Sequence, residues 1–320
     1  MSEGRLPGFG GATGWLNSDP LTPAELQGKV VLVDFWTLTC INWLRTLAYL
    51  RAWHEKYASH GLVVIGVHTP EFAFEGDAAT VERAAAAMGV SYPIALDPDY
   101  AVWQAFGNHY WPAIYLADAK GRIQFHHFGE DGFEATERGI QRLLREAGYT
   151  DAPVELVSIE PAGIEALADW DELRSPETYL GAEQGRNFAG AERAVFDAAT
   201  SYAAPESLEL NTWALSGEWR IEDGASVLAA AGGTIRFRFH ARDANLVLRS
   251  PTGLPVPFLV LLDGAEPGRS HGVDVDPSGR GTVLEPRLYQ LIRQPSPVHD
   301  RTIEIQFEVA GVEAYVFTFG

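Results

Sequence analysis

Apolar and polar positions follow two different rhythms along this chain, and the change falls near residue 150. In the first half, Lys29-Val30-Val31-Leu32-Val33-Asp34-Phe35-Trp36 is a β-rich apolar run after a glycine and predicts a buried strand. From Ile41 to His60 the period lengthens: Leu44, Leu47, Leu50, Trp53 and Tyr57 recur every three or four residues, as on one face of a helix, and Gly61 supplies a stop. Leu62-Val63-Val64-Ile65-Gly66-Val67 is a second buried strand. Ala78 to Met88 is an Ala-rich helix ended by Gly89. Ala113-Ile114-Tyr115-Leu116 and Arg122 to Phe128, joined through Asp118-Ala119-Lys120-Gly121, read as a hairpin, and Glu134 to Ala147 as a closing helix. Strand–helix–strand units favour a parallel central pair, to which the hairpin adds antiparallel strands.

Beyond residue 150 the helical rhythm stops. Residues 151–175 are acidic, carry Pro153 and Pro161, and read as a packed linker or short helix. From Pro176 onward, short alternating runs such as Ile235-Arg236-Phe237-Arg238-Phe239-His240 and Ile303-Glu304-Ile305-Gln306-Phe307-Glu308-Val309 are separated by turn clusters such as Asp263-Gly264 and Pro277-Ser278-Gly279. That spacing predicts an all-β antiparallel sandwich of jelly-roll type. The expected organisation is therefore an α/β domain at 1–150, a linker at 151–175 and a β-sandwich at 176–320.

Composition narrows the function classes. Hydrophobic residues make up 46% and charged residues 21% of the 320 positions, as in a soluble globular protein. The formal charge of −19 disfavours nucleic acid and anionic membranes as partners. The N-terminus lacks a basic-then-apolar block, and no apolar run reaches the roughly 18 residues of a membrane span, so the expected compartment is the cytoplasm. Cys40 is the single cysteine. It leaves no intramolecular disulfide, only a mixed disulfide or an intermolecular one.

The chemistry concentrates in Val33-Asp34-Phe35-Trp36-Thr37-Leu38-Thr39-Cys40-Ile41-Asn42-Trp43-Leu44-Arg45. A strand ends at Trp36, a short loop follows, and Cys40 stands where the next helix begins. Orphan N–H groups and the positive end of the helix dipole favour a thiolate there, which is the nucleophilic form. No Cys/His cluster has zinc spacing, and His126-His127 point alternately from a strand, so no metal is expected. The glycines from Gly8 to Gly14 do not lie between a strand and a helix, which argues against a phosphate loop. No cofactor is expected.

The stretch Asp34-Phe35-Trp36 followed by Cys40, position 43 and Arg45 resembles the thioredoxin superfamily, in particular its TlpA- and DipZ-like branch. His68-Thr69-Pro70-Glu71-Phe72-Ala73-Phe74-Glu75 and Tyr110-Trp111-Pro112-Ala113 are similar to the same branch. The second half, from Pro176-Glu177-Thr178-Tyr179-Leu180-Gly181, resembles the carbohydrate-binding-module-like sandwich that follows the thioredoxin fold in DipZ-like proteins. The resemblance implies an α/β thioredoxin fold with Cys40 as the attacking thiol. It assigns Asp34 as a buried carboxylate that moves protons, and Pro112 as a cis-proline that presents backbone groups to a substrate. Trp36, Thr37, Trp43 and Trp111 are the remaining candidate substrate contacts. The bland alternatives are an ordinary strand-end aspartate for Asp34 and a core filler for Trp43. Arg45, His68 and Glu71 are possible assistants, the latter two placed by the strand that should end beside the Asp34 strand; a solvated loop is the alternative for that pair.

The departures from the family pattern matter as much. Trp43 occupies the place of the second, resolving cysteine, and Ala48 that of a helical proline. A lone thiol attacks a disulfide but cannot release itself, so an external thiol reductant is implied. Thr37, three residues before Cys40, resembles the Thr-x-x-Cys of peroxiredoxins, although Val33 stands where their proline would be. Two readings follow. One is a monothiol redox protein acting on disulfides, mixed disulfides or peroxides. The other is a non-catalytic scaffold binding a glycan or protein through the sandwich, where Trp213 and Trp219 either stack on sugars or fill the core.

Overall fold

The computed structural model describes residues 4–190 and 194–320; the first three residues of the N-terminal stretch read above lie outside them. Two units emerge, Met1–Ala166 and Leu167–Gly320. The first begins with a short strand, β1 (Gly14–Leu16), and continues through β2 (Val30–Trp36), α1 (Ile41–Tyr57), β3 (Leu62–His68), α2 (Ala78–Ala87), β4 (Ile94–Leu96), α3 (Ala101–Phe106), β5 (Ala113–Ala117), β6 (Ile123–Phe128) and α4 (Phe133–Glu146). The sheet order is β1-β4-β3-β2-β5-β6. β2 runs parallel to β3, and β3 to β4, while β1, β5 and β6 pair antiparallel with their neighbours.

The central strand explains its own sequence. Every residue of β2 is buried, which is why no polar alternation shows in Val30–Trp36 apart from Asp34. Val31, Val33 and Phe35 join Ile65, Val67, Ala113 and Tyr115 in a core on one face. On the other, Asp34 lies beside Gly66 and Trp36 beside His68 in register. The hairpin of β5 and β6 turns at Asp118, whose carboxylate accepts the backbone N–H groups of Lys120 and Arg122. Residues just past α4 fold back onto the first unit: Val157 N–H donates to the Glu137 carboxylate, and Arg51 pairs with Glu165 at 2.7 Å.

Apart from a 3₁₀ turn at Gly268–Ser270, the regular elements described in the second unit are strands. Its strands are β7 (Thr178–Tyr179), β8 (Thr200–Tyr202), β9 (Trp213–Ile221), β10 (Ser226–Leu228), β11 (Gly233–Phe239), β12 (Asp243–Arg249), β13 (Val256–Leu262), β14 (Arg280–Val283), β15 (Arg287–Arg293), β16 (Arg301–Phe307) and β17 (Glu313–Phe319). They form one antiparallel path, β14-β13-β16-β11-β9-β10-β17-β12-β15, with β7 on β17 and β8 on β9. This sheet curls into a half-barrel. The curl is visible in β9, which pairs with β11 through residues 213–216 and with β10 through residues 219–221. Gly217 stands between the two segments at φ 93°, a conformation that side chains resist, and a Cβ there would meet Gly233 Cα at 2.9 Å. The inner faces meet in one core, with Phe237 at 5.0 Å from Phe317 and 5.2 Å from Phe319.

Candidate functional site

Cys40 is the N-cap residue of α1, with extended backbone angles of φ −72° and ψ 111°. Its carbonyl accepts Leu44 N–H at 3.0 Å, the first bond of the helix, and its own N–H donates to Thr37 O at 3.3 Å. The side chain makes no capping hydrogen bond. From Val30 to Ile41 every residue except Cys40 is buried. The chain thus enters the core at Val30 and comes toward the surface at the thiol.

The loop that delivers Cys40 is held by a residue that sequence reasoning did not single out. Glu75 is fully buried in a 3₁₀ turn after β3. Its Oε1 accepts Thr39 N–H at 3.1 Å and Thr39 Oγ1–H at 2.7 Å, and its Oε2 accepts the N–H groups of Glu71 and Phe72 at 2.7 and 2.8 Å. Burial holds its pKa above the ordinary glutamate value, against hydrogen bonds that all favour the charged form. The available sequence signal was the glutamate three residues after Phe72, the spacing of a capping box.

Behind the loop, on the face of the sheet that α1 covers, lies a second buried carboxylate. Trp43 Nε1–H donates to Asp34 Oδ2 at 2.8 Å, and the Trp43 ring stacks on Trp36 at 4.1 Å. Asp34 Oδ1 has no hydrogen-bond partner, and neither has Trp36 Nε1 or the Tyr92 hydroxyl. Desolvation raises the Asp34 pKa to about 7, with the Trp43 bond pulling the other way. His68 packs edge-on to Trp36 at 4.6 Å, and burial drives its pKa down to about 3, so it is a neutral imidazole.

The structure therefore joins Asp34, Trp36, Trp43 and His68 in one enclosed cluster. Trp36 and Trp43 are wholly buried, as is Thr37, so none of the three presents a face to solvent. Arg45 is buried too and pairs with Glu130 at 2.7 Å. Glu71 is half-buried and contributes its backbone N–H to Glu75. The Trp111-Pro112 bond is cis. Pro112 directly precedes Ala113, which pairs with Phe35 near the end of β2, and Trp111 packs on Trp103 at 4.4 Å. Among the described residues no group of three or more His, Cys, Asp or Glu side chains could hold a metal ion. In the second unit Trp213 and Trp219 are core residues, their indole N–H groups donated to Arg186 O and Ser216 O at 2.7 and 2.9 Å. That enclosure removes them as sugar platforms.

Comparison with known proteins gives two family matches. The redoxin family matches residues 6–144, and a family described as Thioredoxin like C-terminal domain matches residues 175–320. Protein DipZ of Mycobacterium tuberculosis (strain CDC 1551 / Oshkosh) is 38% identical over 250 residues, which are 77% of this chain and 35% of DipZ. This chain thus spans about a third of that relative's length. Thiol-disulfide oxidoreductase YkuV of Bacillus subtilis (strain 168) is 28% identical over 141 residues, 44% of this chain and 95% of YkuV. A solved thioredoxin-like protein in the oxidised form is 30% identical, covers 45% of this chain and 96% of its own, and superposes with a TM-score of 0.42. The chain thus combines a redoxin match over residues 6–144 and DipZ similarity with a single cysteine. No helix among the described residues is long and apolar enough to cross a membrane.

Proposed function

We propose that this chain is a monothiol redox protein in which Cys40 exchanges with disulfides and mixed disulfides. The observation that carries the reading is the placement of Cys40 at the N-cap of α1, the one residue from Val30 to Ile41 that is not buried. The Cys40 thiolate attacks a disulfide R–S–S–R′, forms the Cys40–S–S–R bond and releases R′–S⁻. A second thiolate, supplied as a low-molecular-weight thiol, attacks the R sulfur, leaves as the new disulfide and returns Cys40 to its thiolate. With Trp43 in place of a resolving thiol, that outside reductant is obligatory.

Disulfides are favoured over peroxides because the arginine that a peroxide site needs is committed elsewhere. Arg45 is enclosed and its Nη1 is tied to Glu130 at 2.7 Å. In this reading Asp34, with a pKa raised to about 7, takes up or gives back a proton as the thiol state changes. Trp111 and Pro112 present the substrate edge, and Trp36, Thr37 and Trp43 act from beneath. We place this chemistry in a domain of residues 1–150, joined by 151–175 to a second domain of 176–320.

The test is intact mass after incubation of the folded protein with glutathione disulfide. One glutathionyl adduct is expected on the wild type, none on Cys40→Ser, and complete release on addition of free thiol. Absence of the adduct on folded wild-type protein would sink the reading.

A further inference from the structure

Glu75 does more than fill a buried position. Its two oxygens take hydrogen bonds from two separate loops, Thr39 on one side and Glu71 and Phe72 on the other. Burying a carboxylate is costly unless donors surround it, and here three backbone N–H groups and a hydroxyl do so. The result is a polar clamp that fixes Thr39, the residue next to Cys40.

That clamp solves a problem that the thiol creates. An N-cap side chain ordinarily folds back onto the first N–H groups of its helix, which fixes the corner where the helix begins. Cys40 sits at the N-cap but makes no such bond. Its own side chain therefore does not hold the corner, and the bonds from Thr39 to Glu75 do so one residue earlier. The Cys40 backbone thereby stays at the positive end of α1.

We infer that Glu75 is the positioning residue for Cys40, acting through Thr39 to keep the thiol at the start of α1 where its thiolate is stabilised. The inference rests on the proposed thiol chemistry at Cys40 and adds a residue to it.

The experiment is the pH profile of Cys40 alkylation by iodoacetamide, read by intact mass on the folded full chain, with the melting temperature measured alongside. Thr39→Val keeps the shape and the charge but removes the hydroxyl; Thr39→Ser restores the hydroxyl. Glu75→Gln keeps the size and loses half of the acceptor set. In Thr39→Val and Glu75→Gln the alkylation midpoint should move up by about one unit toward the free-cysteine value of about 8.5, and Thr39→Ser should restore it. Below the midpoint that shift is about tenfold less thiolate.

A purely structural role would lower the melting temperature and leave the midpoint in place, which overturns the inference. A downward midpoint in Glu75→Gln also overturns it, since the carboxylate would then act only as a repelling charge. Wild-type Cys40 that reacts only after denaturation overturns both this inference and the thiol chemistry. A reactive wild type with unmoved variants overturns this inference alone.

Discussion

Two buried carboxylates, Glu75 bonded to Thr39 before α1 and Asp34 bonded to Trp43 within it, are treated in opposite ways. Glu75 has donors on both oxygens, four hydrogen bonds in all. Asp34 has the Trp43 indole on one oxygen and no hydrogen-bond partner on the other. Burial raises the pKa of both, but the surroundings of Glu75 compensate its charge and those of Asp34 do not. A saturated carboxylate is a construction element. A half-satisfied one costs stability and stays titratable near neutrality, which suits a group that handles protons.

The largest expected effect on thiol chemistry comes from changing the donor on Asp34. Trp43→Cys removes the indole and places a second thiol three residues after Cys40, on a neighbouring position of the helix surface. Mild oxidation should then close an intramolecular disulfide, seen as loss of two hydrogens and of all alkylation, and the variant should turn over a disulfide where the wild type stops at an adduct. Loss of a wholly buried tryptophan should cost about 3 kcal/mol of stability. If both thiols still alkylate after oxidation, Trp43 is not a simple stand-in for a resolving cysteine.

The second effect is in the pH dependence of stability, where Asp34 and His68 pull against each other. Asp34 rises from its unfolded value of about 3.9 to about 7 on folding. Its contribution is therefore full below about pH 4 and is lost as pH rises through about 7, a change of roughly 4 kcal/mol. His68 falls from about 6.5 to about 3, so its contribution is full above about pH 6.5 and is lost as pH falls toward 3. Between about pH 4 and 6.5 the two slopes oppose. Asp34→Asn should uncover stability that climbs with pH, and His68→Gln stability that declines, each followed by hydrogen exchange of the β2 amides. Parallel profiles for Asp34→Asn and wild type would show that Asp34 does not titrate in the folded protein.

How much of this was legible in the residues follows from what each residue contacts. β2, β3 and β5 were readable because their runs are buried almost throughout, and α1 because its apolar face is. β1, β4 and α3 are three to six residues long, too short for a period to show, and depend on the neighbours they pair with. The second half gave its strands but not its closure, because the curl depends on a turn in mid-strand at Gly217 rather than on a pattern of alternation. At the site, Cys40 and Asp34 were readable from their motif. Glu75 was not, since its importance lies in contacts with Thr39 across a long stretch of sequence, and Glu71, four residues earlier, was named instead.

The smallest effects separate the two carboxylates through the glycines beside them. Gly66 is the register neighbour of Asp34, and a Cβ there would lie 2.8 Å from Trp36 Nε1 and 3.1 Å from a Tyr92 ring carbon. Both rings are wholly buried and have no room to retreat. Gly66→Ala should therefore cost about 1–3 kcal/mol by overpacking, although alanine is the better residue for a strand. Gly76 directly follows Glu75, is exposed, and has nothing within 4 Å of the Cβ position. Gly76→Ala should be neutral, or stabilising by about 0.4–1 kcal/mol through the unfolded chain. Urea unfolding of the pair decides the point. A costly Gly66 and a harmless Gly76 would mean that the space around Asp34 is closed to anything larger than hydrogen, while the turn that carries Glu75 has slack on its outer side.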